Sequence, residues 1–386
     1  MRLIAPFLWL VRSINSSFYL AGGVDSGLLA ARAAALGLKD TLLVNYSFGL
    51  NDEESLLAEQ MAKHLGLNFQ RIQDVDSGTD VEDVLTHAGR DYRTPFCDHS
   101  AVPTGKLVRS VIRTFGPEFS VLDGTGADGA FGLFGRSRQW QKLHSIRGGI
   151  LRIGSLGYRM LRSWQKGSKV EERLKLLRRA YQLPFPFSAI SQNALAGIAY
   201  HVPENISREV GSMGISWLHS ISPEDPHIQL AALDLSLVCS GIFAQKSKSL
   251  FTASDLAIIY PFLSQEMVRI ALLSGNWQGS DQEAKWLLKA ALARHIPSEM
   301  VYRAKSGFVA PMSEKFKSDS FLVAFDKLLA GRSQLSPFLE KKFLQNIRGR
   351  LAEKNVLPPQ TANLVWAIVF VSEWLEQVSG AATIPG

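Results

Sequence analysis

A glycine-rich segment near the start of the chain has the composition of a phosphate-binding turn. It reads Leu20-Ala21-Gly22-Gly23-Val24-Asp25-Ser26-Gly27 and lies between a predicted strand, residues 17–20, and a predicted helix, residues 25–38. Its glycines let the backbone approach a phosphate closely, while the amides of the first helical turn attract negative charge. Ser26 adds a hydroxyl donor. Asp25 beside such an anion implies a cation between them, which indicates Mg²⁺ on the phosphates of a nucleotide.

The same residues also fit a simpler interpretation. The segment lacks the lysine of a Walker loop and the glycine spacing of a dinucleotide-binding fingerprint. Under this interpretation Gly22 and Gly23 only form a tight strand-to-helix turn, and Asp25 caps the helix. The two interpretations differ in whether a ligand binds.

A second glycine-rich segment follows the predicted fourth strand, residues 119–122. It reads Asp123-Gly124-Thr125-Gly126-Ala127-Asp128-Gly129. The carboxyl ends of parallel strands share one crevice, so we expect Asp128 to face Asp25 across a bound metal and nucleotide. The alternative is a glycine-rich turn with a capping aspartate.

Two lysines in the second half are candidates for neutralising negative charge. Lys285 opens the predicted helical run Lys285-Trp286-Leu287-Leu288-Lys289, and Lys305 lies in Arg303-Ala304-Lys305-Ser306-Gly307-Phe308. A lysine on a helix face commonly meets only solvent, which is the alternative for Lys285. Lys305 lies in a predicted loop beside Gly307, where a cation is suited to stabilising charge that grows in a transition state.

The elements that must position these groups alternate between strand and helix. Predicted strands cover residues 17–20, 41–46, 69–72 and 119–122, with helical segments between them, which is typical of a parallel α/β sheet. Helical periodicity with few strand signals follows. The sequence predicts an α/β core over 1–135, a basic helical insert over 136–186 and a mostly helical lobe over 187–386 that completes the active site.

Composition bounds the class of protein. With 386 residues, 46% of them apolar and 20% charged, the chain is long and apolar enough to fold compactly. Its two cysteines, Cys97 and Cys239, form no disulfide framework, and we expect both to be buried. No apolar run approaches the ~18 to 20 residues that span a bilayer. We therefore expect a cytoplasmic protein.

The positive charge is concentrated in one segment. The net charge is +7, yet residues 136–179 alone hold 13 Lys or Arg against two acids. Such a segment favours an anionic partner, such as lipid at the periphery of a membrane or an acidic polysaccharide. Helices with solvated basic faces are the alternative. No nucleic-acid-binding module is recognisable, so a nucleic-acid partner is not expected.

Taken together, these motifs resemble the synthetase domain of asparagine synthetases and their relatives, the β-lactam synthetases and lasso-peptide cyclases. The glycine-rich loop resembles the SGGxDS pyrophosphate loop of N-type ATP pyrophosphatases. The resemblance runs from residue 16 to about 315 through further stretches in the same order: DEE at 52–54 with Ala58, PFCDHSAVPT at 95–104, GAD at 126–128, YPFL at 260–263, residues 285–290, and residues 303–308 with Pro311.

The resemblance implies the N-type ATP pyrophosphatase fold and an AMP-forming ligase that uses ATP and Mg²⁺. In this family ATP activates a carboxylate as an acyl-adenylate, and an amine then attacks to form an amide. The resemblance implies Mg²⁺ on Asp25 and Asp128, with Lys285 and Lys305 as the catalytic cations. It places ATP and pyrophosphate against Leu20, Ala21, Gly22, Gly23, Asp25, Ser26, Val44 and Gly124.

The source of nitrogen is one departure from asparagine synthetases. Those enzymes carry a glutaminase domain whose nucleophile is the cysteine after the initiator methionine, and this chain has Arg2 there. We therefore expect the nitrogen to come from free ammonia, from an amine-bearing substrate or from a separate glutaminase.

Other departures concern the substrate. Ala21 and Gly27 replace loop serines, Gly129 and Ala257 fall where asparagine synthetases have Glu, and Thr125 falls where β-lactam synthetases have a catalytic Tyr. These differences favour an acid other than aspartate, carried by a small molecule, a peptide or a saccharide. The alternative function is a nucleotide-binding or partner-regulating homologue with altered catalysis.

Overall fold

The computed structural model describes part of the chain, and all structural statements refer to that part. It covers residues 16–19, 23–47, 49, 52–73, 78–95, 98–116, 120–132, 150, 152–154, 156–157, 228, 231–232, 234–252, 256–273, 284–303, 316–353, 357 and 359–382. Several sequence-based predictions lie outside these residues: those on Leu20, Ala21, Gly22, Cys97 and Lys305, and on nearly all of the basic segment.

A five-stranded sheet forms the centre of the fold. Its strands are β1 Ser16–Tyr19, β2 Leu42–Ser47, β3 Asn68–Gln73, β4 Ser120–Leu122 and β5 Ala257–Ile259. They lie in the order β3-β2-β1-β4-β5, and every neighbouring pair is parallel. The predicted parallel α/β sheet is therefore confirmed. The helical periodicity of the later part did not predict β5, which joins the sheet beside β4.

Helices follow the strands and make up most of the rest of the described chain. We number them α1 Val24–Ala35, α2 Glu53–Leu65, α3 Gly78–Thr86, α4 Ala88–Asp91, α5 Ala101–Phe115, α6 Ala127–Phe131, α7 Gln245–Thr252, α8 Gln265–Leu273, α9 Trp286–Leu292, α10 Ser298–Val301, α11 Asp319–Leu329, α12 Lys341–Ala352 and α13 Pro359–Ala382. A π-helical segment, Asp234–Ala244, runs directly into α7.

The helices form two layers that sandwich the sheet. Neighbouring residues of a strand point to opposite faces, and accordingly Val44 and Val121 join one apolar core, whereas Leu43 and Leu122 join another. The first core is completed by α3 to α5, α7 and α11 to α13, and the second by α1, α2, α6, α8, α9 and α10. Helices from the late part of the chain thus cover both faces.

Local chemistry explains where the early helices begin and end. The Asp52 side chain caps α2 by accepting hydrogen bonds from the amides of Glu54 and Ser55, and Gly66 ends the helix in a left-handed conformation at φ 66°. Among the described residues, no helix is both long enough and apolar enough to span a bilayer. Cys239 is buried, as expected.

Candidate active site at the carboxyl edge of the sheet

The amino end of α1 lies directly after the first strand. Gly23 is the N-cap, and no side chain of the described residues caps the helix there. Asp25 and Ser26 stand in the first turn, and Ser26 is buried. The first amides of a helix have no partner within the helix, and the helix dipole makes this end electropositive. The sequence therefore builds an end of α1 that can receive a phosphate group.

The turn after β4 touches this end of α1. A Cβ added at Gly124 would lie 3.1 Å from Asp25 Cβ and 3.4 Å from the amide nitrogen of Ser26. The turn is fixed by the Thr125 amide, which donates to Asp123 Oδ1 over 2.7 Å. The two glycine-rich segments are separated by about a hundred residues, and Gly124 of the second lies directly against Asp25 and Ser26 of the first. This proximity was expected from the shared edge of parallel strands.

Gly126 holds the second segment against a late part of the chain. Its φ is 106°, which side chains rarely adopt, and an added Cβ would lie 2.7 Å from Leu263 Cδ2. Leu263 belongs to the Tyr260-Pro261-Phe262-Leu263 stretch that the sequence singled out. A glycine is needed here for both conformation and space.

Lys285 brings the two aspartates together. Its Nζ lies 2.5 Å from Asp25 Oδ2 and 2.9 Å from Asp128 Oδ1. Its backbone is left-handed at φ 60°, and its amide donates to the carbonyl of Phe131, at the end of α6, over 2.9 Å. Lys285 thus caps α9 and links it to α6 while its side chain crosses to α1. The prediction that residues 25 and 128 face each other agrees with this geometry.

The charges of this cluster are strongly coupled. Burial alone would lower the pKa of Lys285, but the negative charges of Asp25 and Asp128 outweigh burial and raise the pKa above its ordinary value. The lysine side chain is 9% exposed, Asp25 is 21% exposed and Asp128 is 63% exposed. The ammonium is therefore charged at neutral pH, and the cluster opens to solvent on the side of Asp128.

The donor set of this cluster fits Mg²⁺. Carboxylate oxygens are the ligands that Mg²⁺ prefers, and this ion is commonly held by one or two carboxylates together with substrate phosphates. Asp25 and Asp128 supply such a pair and already converge on one cation, the ammonium of Lys285. No group of three or more His, Cys, Asp or Glu suited to holding a metal occurs within the described residues.

Arg303 connects this edge of the sheet to the predicted loop of Lys305. Its Nη2 lies 2.7 Å from Glu54 Oε2, in the first turn of α2. Lys305 itself is outside the described residues. The ion pair places Arg303 beside the first turn of α2, and it joins two stretches that the sequence had singled out separately.

Val44 and Gly27, two further positions singled out from the sequence, both lie in packed surroundings. Val44 lies within β2, paired with Tyr19 at the end of β1, and its side chain is buried. Gly27 faces the second core, because an added Cβ would lie 3.3 Å from both Met61 Sδ and Leu292 Cδ2. A close approach of α1 to α2 and α9 is thus one physical reason for a glycine at position 27.

Sequence reasoning missed Asp234. This carboxylate is 3% exposed and lies against Gly129, where an added Cβ would be 2.8 Å from Asp234 Oδ2 and 3.0 Å from Cys239 Sγ. Burial, and then the charge of Asp234, raise the pKa of the Cys239 thiol, which stays protonated and donates to Asp234 Oδ2. The available signal was an acid within the apolar run LAALDLSLVCSGIFA, residues 230–244.

A second cluster, also missed, lies at the start of α5. Lys246 Nζ is 2.6 Å from Asp98 Oδ2 and also contacts Ser100 Oγ. Burial would raise the pKa of Asp98, but the nearby charge of Lys246 lowers it to about 2. Asp98 and Ser100 belong to the PFCDHSAVPT stretch. An ion pair with the late part of the chain therefore accounts for two polar residues of that stretch.

Comparison with known protein families agrees with this arrangement. The family model described as asparagine synthase matches residues 10–376, which is nearly the whole chain and includes the carboxylate pair, Lys285 and Arg303. A comparison with curated proteins gave no match. Because the family match runs through the sheet, both helical layers and the charged cluster, the chain belongs to the asparagine synthase family.

Proposed function

We propose that the protein is an AMP-forming ligase that activates a carboxylic acid as an acyl-adenylate and passes the acyl group to nitrogen. Family membership supports an ATP-dependent ligase-type activity. The observation that carries the finer proposal is the convergence of Asp25, Asp128 and Lys285 at the amino end of α1. Such a cluster is suited to holding a triphosphate whose pyrophosphate is the leaving group.

In this proposal the amino end of α1 binds the pyrophosphate. Gly23 and the amides of the first turn face the phosphate oxygens, and the Ser26 hydroxyl adds a donor. Ala21 and Gly22 are proposed to contact the same phosphates, and the backbone around Leu20, Val44 and Gly124 is proposed to receive the adenosine. Gly124 supports this role because its lack of a side chain lets the backbone after β4 lie directly against Asp25 and the first turn of α1.

Asp25 and Asp128 are the proposed ligands of Mg²⁺. When bound there, the ion neutralises charge on the phosphates and lowers the barrier to departure of pyrophosphate. Lys285 contributes a buried ammonium to the same cluster, and Lys305 is proposed as the cation that stabilises the developing charge. The protein's part is positioning and electrostatic stabilisation rather than covalent chemistry.

We propose an acid other than aspartate as the substrate, carried by a small molecule, a peptide or a saccharide. Gly129 supports this, because it falls where asparagine synthetases have Glu. Asp234 and Cys239 fill the space that a side chain there would need. Ammonia, an amine substrate or a separate glutaminase supplies the nitrogen.

Exchange of labelled pyrophosphate into ATP, measured with a panel of carboxylic acids, tests the proposal. At least one acid should support exchange. Asp128→Asn should reduce the rate by about a hundredfold or more, in line with the loss of a charge-stabilising group. Lys305→Ala should reduce it as well. Asp326→Asn is the matched control, because Asp326 pairs with Arg348 on α11 and α12.

The outcomes separate the two candidate functions. Absence of both exchange and ATP binding would contradict the ligase. Tight binding of Mg·ATP in calorimetry, with no release of AMP for any acid, would favour the nucleotide-binding alternative. Exchange at the wild-type rate in Asp128→Asn would show that the proposed metal position is wrong.

A further inference from the structure

Lys285 occupies the position between the carboxylates that the proposed metal also needs. Its Nζ is within hydrogen-bond distance of Asp25 Oδ2, at 2.5 Å, and of Asp128 Oδ1, at 2.9 Å. Mg²⁺ binds carboxylate oxygens at about 2.0–2.1 Å, so at this pair it would lie close to the ammonium. An ammonium and a divalent ion repel each other at such short range. The two cations therefore compete for the negative charge of these two carboxylates.

The backbone of Lys285 has an unusual conformation that its neighbours fix. It is the only non-glycine residue of the described part with a positive φ, 60°. The conformation is held by the hydrogen bond from its amide to the Phe131 carbonyl and by the start of α9 directly after it. Residues in sparsely populated conformations persist when surrounding contacts fix them, and they are frequent at functional sites.

We propose that Lys285 is an internal counter-ion that competes with the divalent cation for the Asp25–Asp128 pair. This inference rests on the proposed function in one respect, the choice of these carboxylates as metal ligands. Metal binding then requires the ammonium to leave the carboxylates, and a released Lys285 is free to contact phosphate oxygens. Free metal consequently binds weakly to the protein, and metal and lysine exchange at one position.

Binding of Mn²⁺ to the full chain without nucleotide tests the competition. Mn²⁺ is counted by electron paramagnetic resonance, in which free and bound ions differ in signal amplitude. Lys285→Met should bind Mn²⁺ about tenfold more tightly than the wild type, or better, because the carboxylates lose their counter-ion. The double variant Lys285→Met/Asp128→Asn should lose this gain. Lys327→Met, which removes a lysine paired with Glu373 and Glu376, should bind like the wild type.

A second measurement uses the unaltered protein, in case Lys285→Met folds poorly. Acetylation of lysines by an N-hydroxysuccinimide ester is followed by mass spectrometry. Lys285 should react slowly, and saturating Mn²⁺ should raise its rate severalfold while leaving that of Lys327 unchanged. A Lys285 rate that does not rise on binding of Mn²⁺ would overturn the proposal. So would an unchanged Mn²⁺ affinity in a folded Lys285→Met variant.

These measurements need neither an acid substrate nor turnover. Failure of pyrophosphate exchange therefore leaves the competition testable. Conversely, active exchange together with an unchanged Mn²⁺ affinity in Lys285→Met would remove only the competition.

Discussion

Position 124 shows how one missing side chain shapes the site. Gly124 lets the turn after β4 touch the first turn of α1, where an added Cβ would be 3.1 Å from Asp25 Cβ. Asp25 in turn contacts Lys285. The orientation of the Asp25 carboxylate therefore depends on the absence of a side chain at Gly124.

Gly124→Ala should weaken Mg·ATP binding about tenfold, because Asp25 must shift and small misplacements at such sites are costly. The free energy of unfolding should change by no more than about 1 kcal/mol. Calorimetric titration and urea unfolding measure the two quantities.

The control is Gly349→Ala within α12, where an added Cβ has open space. That control should keep its ATP affinity and gain about 0.5–1 kcal/mol of stability. Equal ATP affinity in both variants would contradict the role given to Gly124.

Gly129 is a second position at which the surrounding atoms leave no room for a side chain. Gly129→Glu, which introduces the residue of asparagine synthetases, should lower the free energy of unfolding by about 1–3 kcal/mol through overpacking against Asp234 and Cys239. The like charge of Asp234 adds to this cost. Urea unfolding checks the expected loss. Wild-type stability in this variant would show that the site has room for a carboxylate at 129.

At the scale of elements, α2 binds Arg303, which lies just after α10. Its N-cap aspartate fixes the first turn, and Glu54 in that turn binds Arg303, two residues before Lys305. A second Glu of the same helix, Glu59, binds Arg71 on β3 and is 57% exposed. The two ion pairs thus form a natural comparison within one helix.

Glu54→Gln should slow pyrophosphate exchange about three- to tenfold, because Arg303, two residues before Lys305, loses this anchor and catalytic positioning is sensitive to small shifts. Its melting temperature should change little, since a partly exposed ion pair contributes about 1 kcal/mol or less. Glu59→Gln is the matched control and should keep the exchange rate. An equal effect of both variants would indicate a general weakening of α2 rather than loss of the anchor.

For the whole molecule, ion pairs join early and late parts of the chain. Lys285 crosses from α9 to α1 and α6, and Lys246 crosses from α7 to Asp98 at the start of α5. Both lysine side chains are less than a tenth exposed. Such pairs are sensitive to removal of one partner, because the remaining charge stays buried.

Lys246→Met should lower the free energy of unfolding at pH 7 by about 3–5 kcal/mol, because Asp98 is left as an uncompensated buried charge. The pKa of Asp98 is lowered to about 2 in the folded protein, so its stabilising contribution is present above the ordinary value near 3.8 and is lost as the pH falls through 2. The difference between variant and wild type should therefore shrink below about pH 4, where the unpaired Asp98 of the variant is neutral.

Urea unfolding at pH 7 and at pH 3 measures this difference. Lys327→Met is the control, since the Lys327 side chain is 37% exposed and its loss should cost about 1 kcal/mol or less. A difference between Lys246→Met and the wild type that is the same at both pH values would contradict the assignment to Asp98.

The sequence by itself determined the early sheet and the two glycine-rich turns. Strand and helix signals are local, since they depend on side-chain periodicity, N-caps such as Asp52 and glycines such as Gly66. The four early strands and the approach of Asp25 to Asp128 could therefore be predicted, because parallel strands bring their carboxyl ends to one edge. The family resemblance added Lys285 to that edge.

Only the tertiary structure decided which distant groups meet. Three residues of β5 are too few for periodicity to show a strand, and their pairing with β4 depends on contacts across more than a hundred residues. The buried Asp234 beside Gly129, the Lys246–Asp98 pair and the insertion of Lys285 between two carboxylates have the same cause. Each is set by the packing of late helices against an early sheet, and spacing along the chain carries no information about distances of that kind.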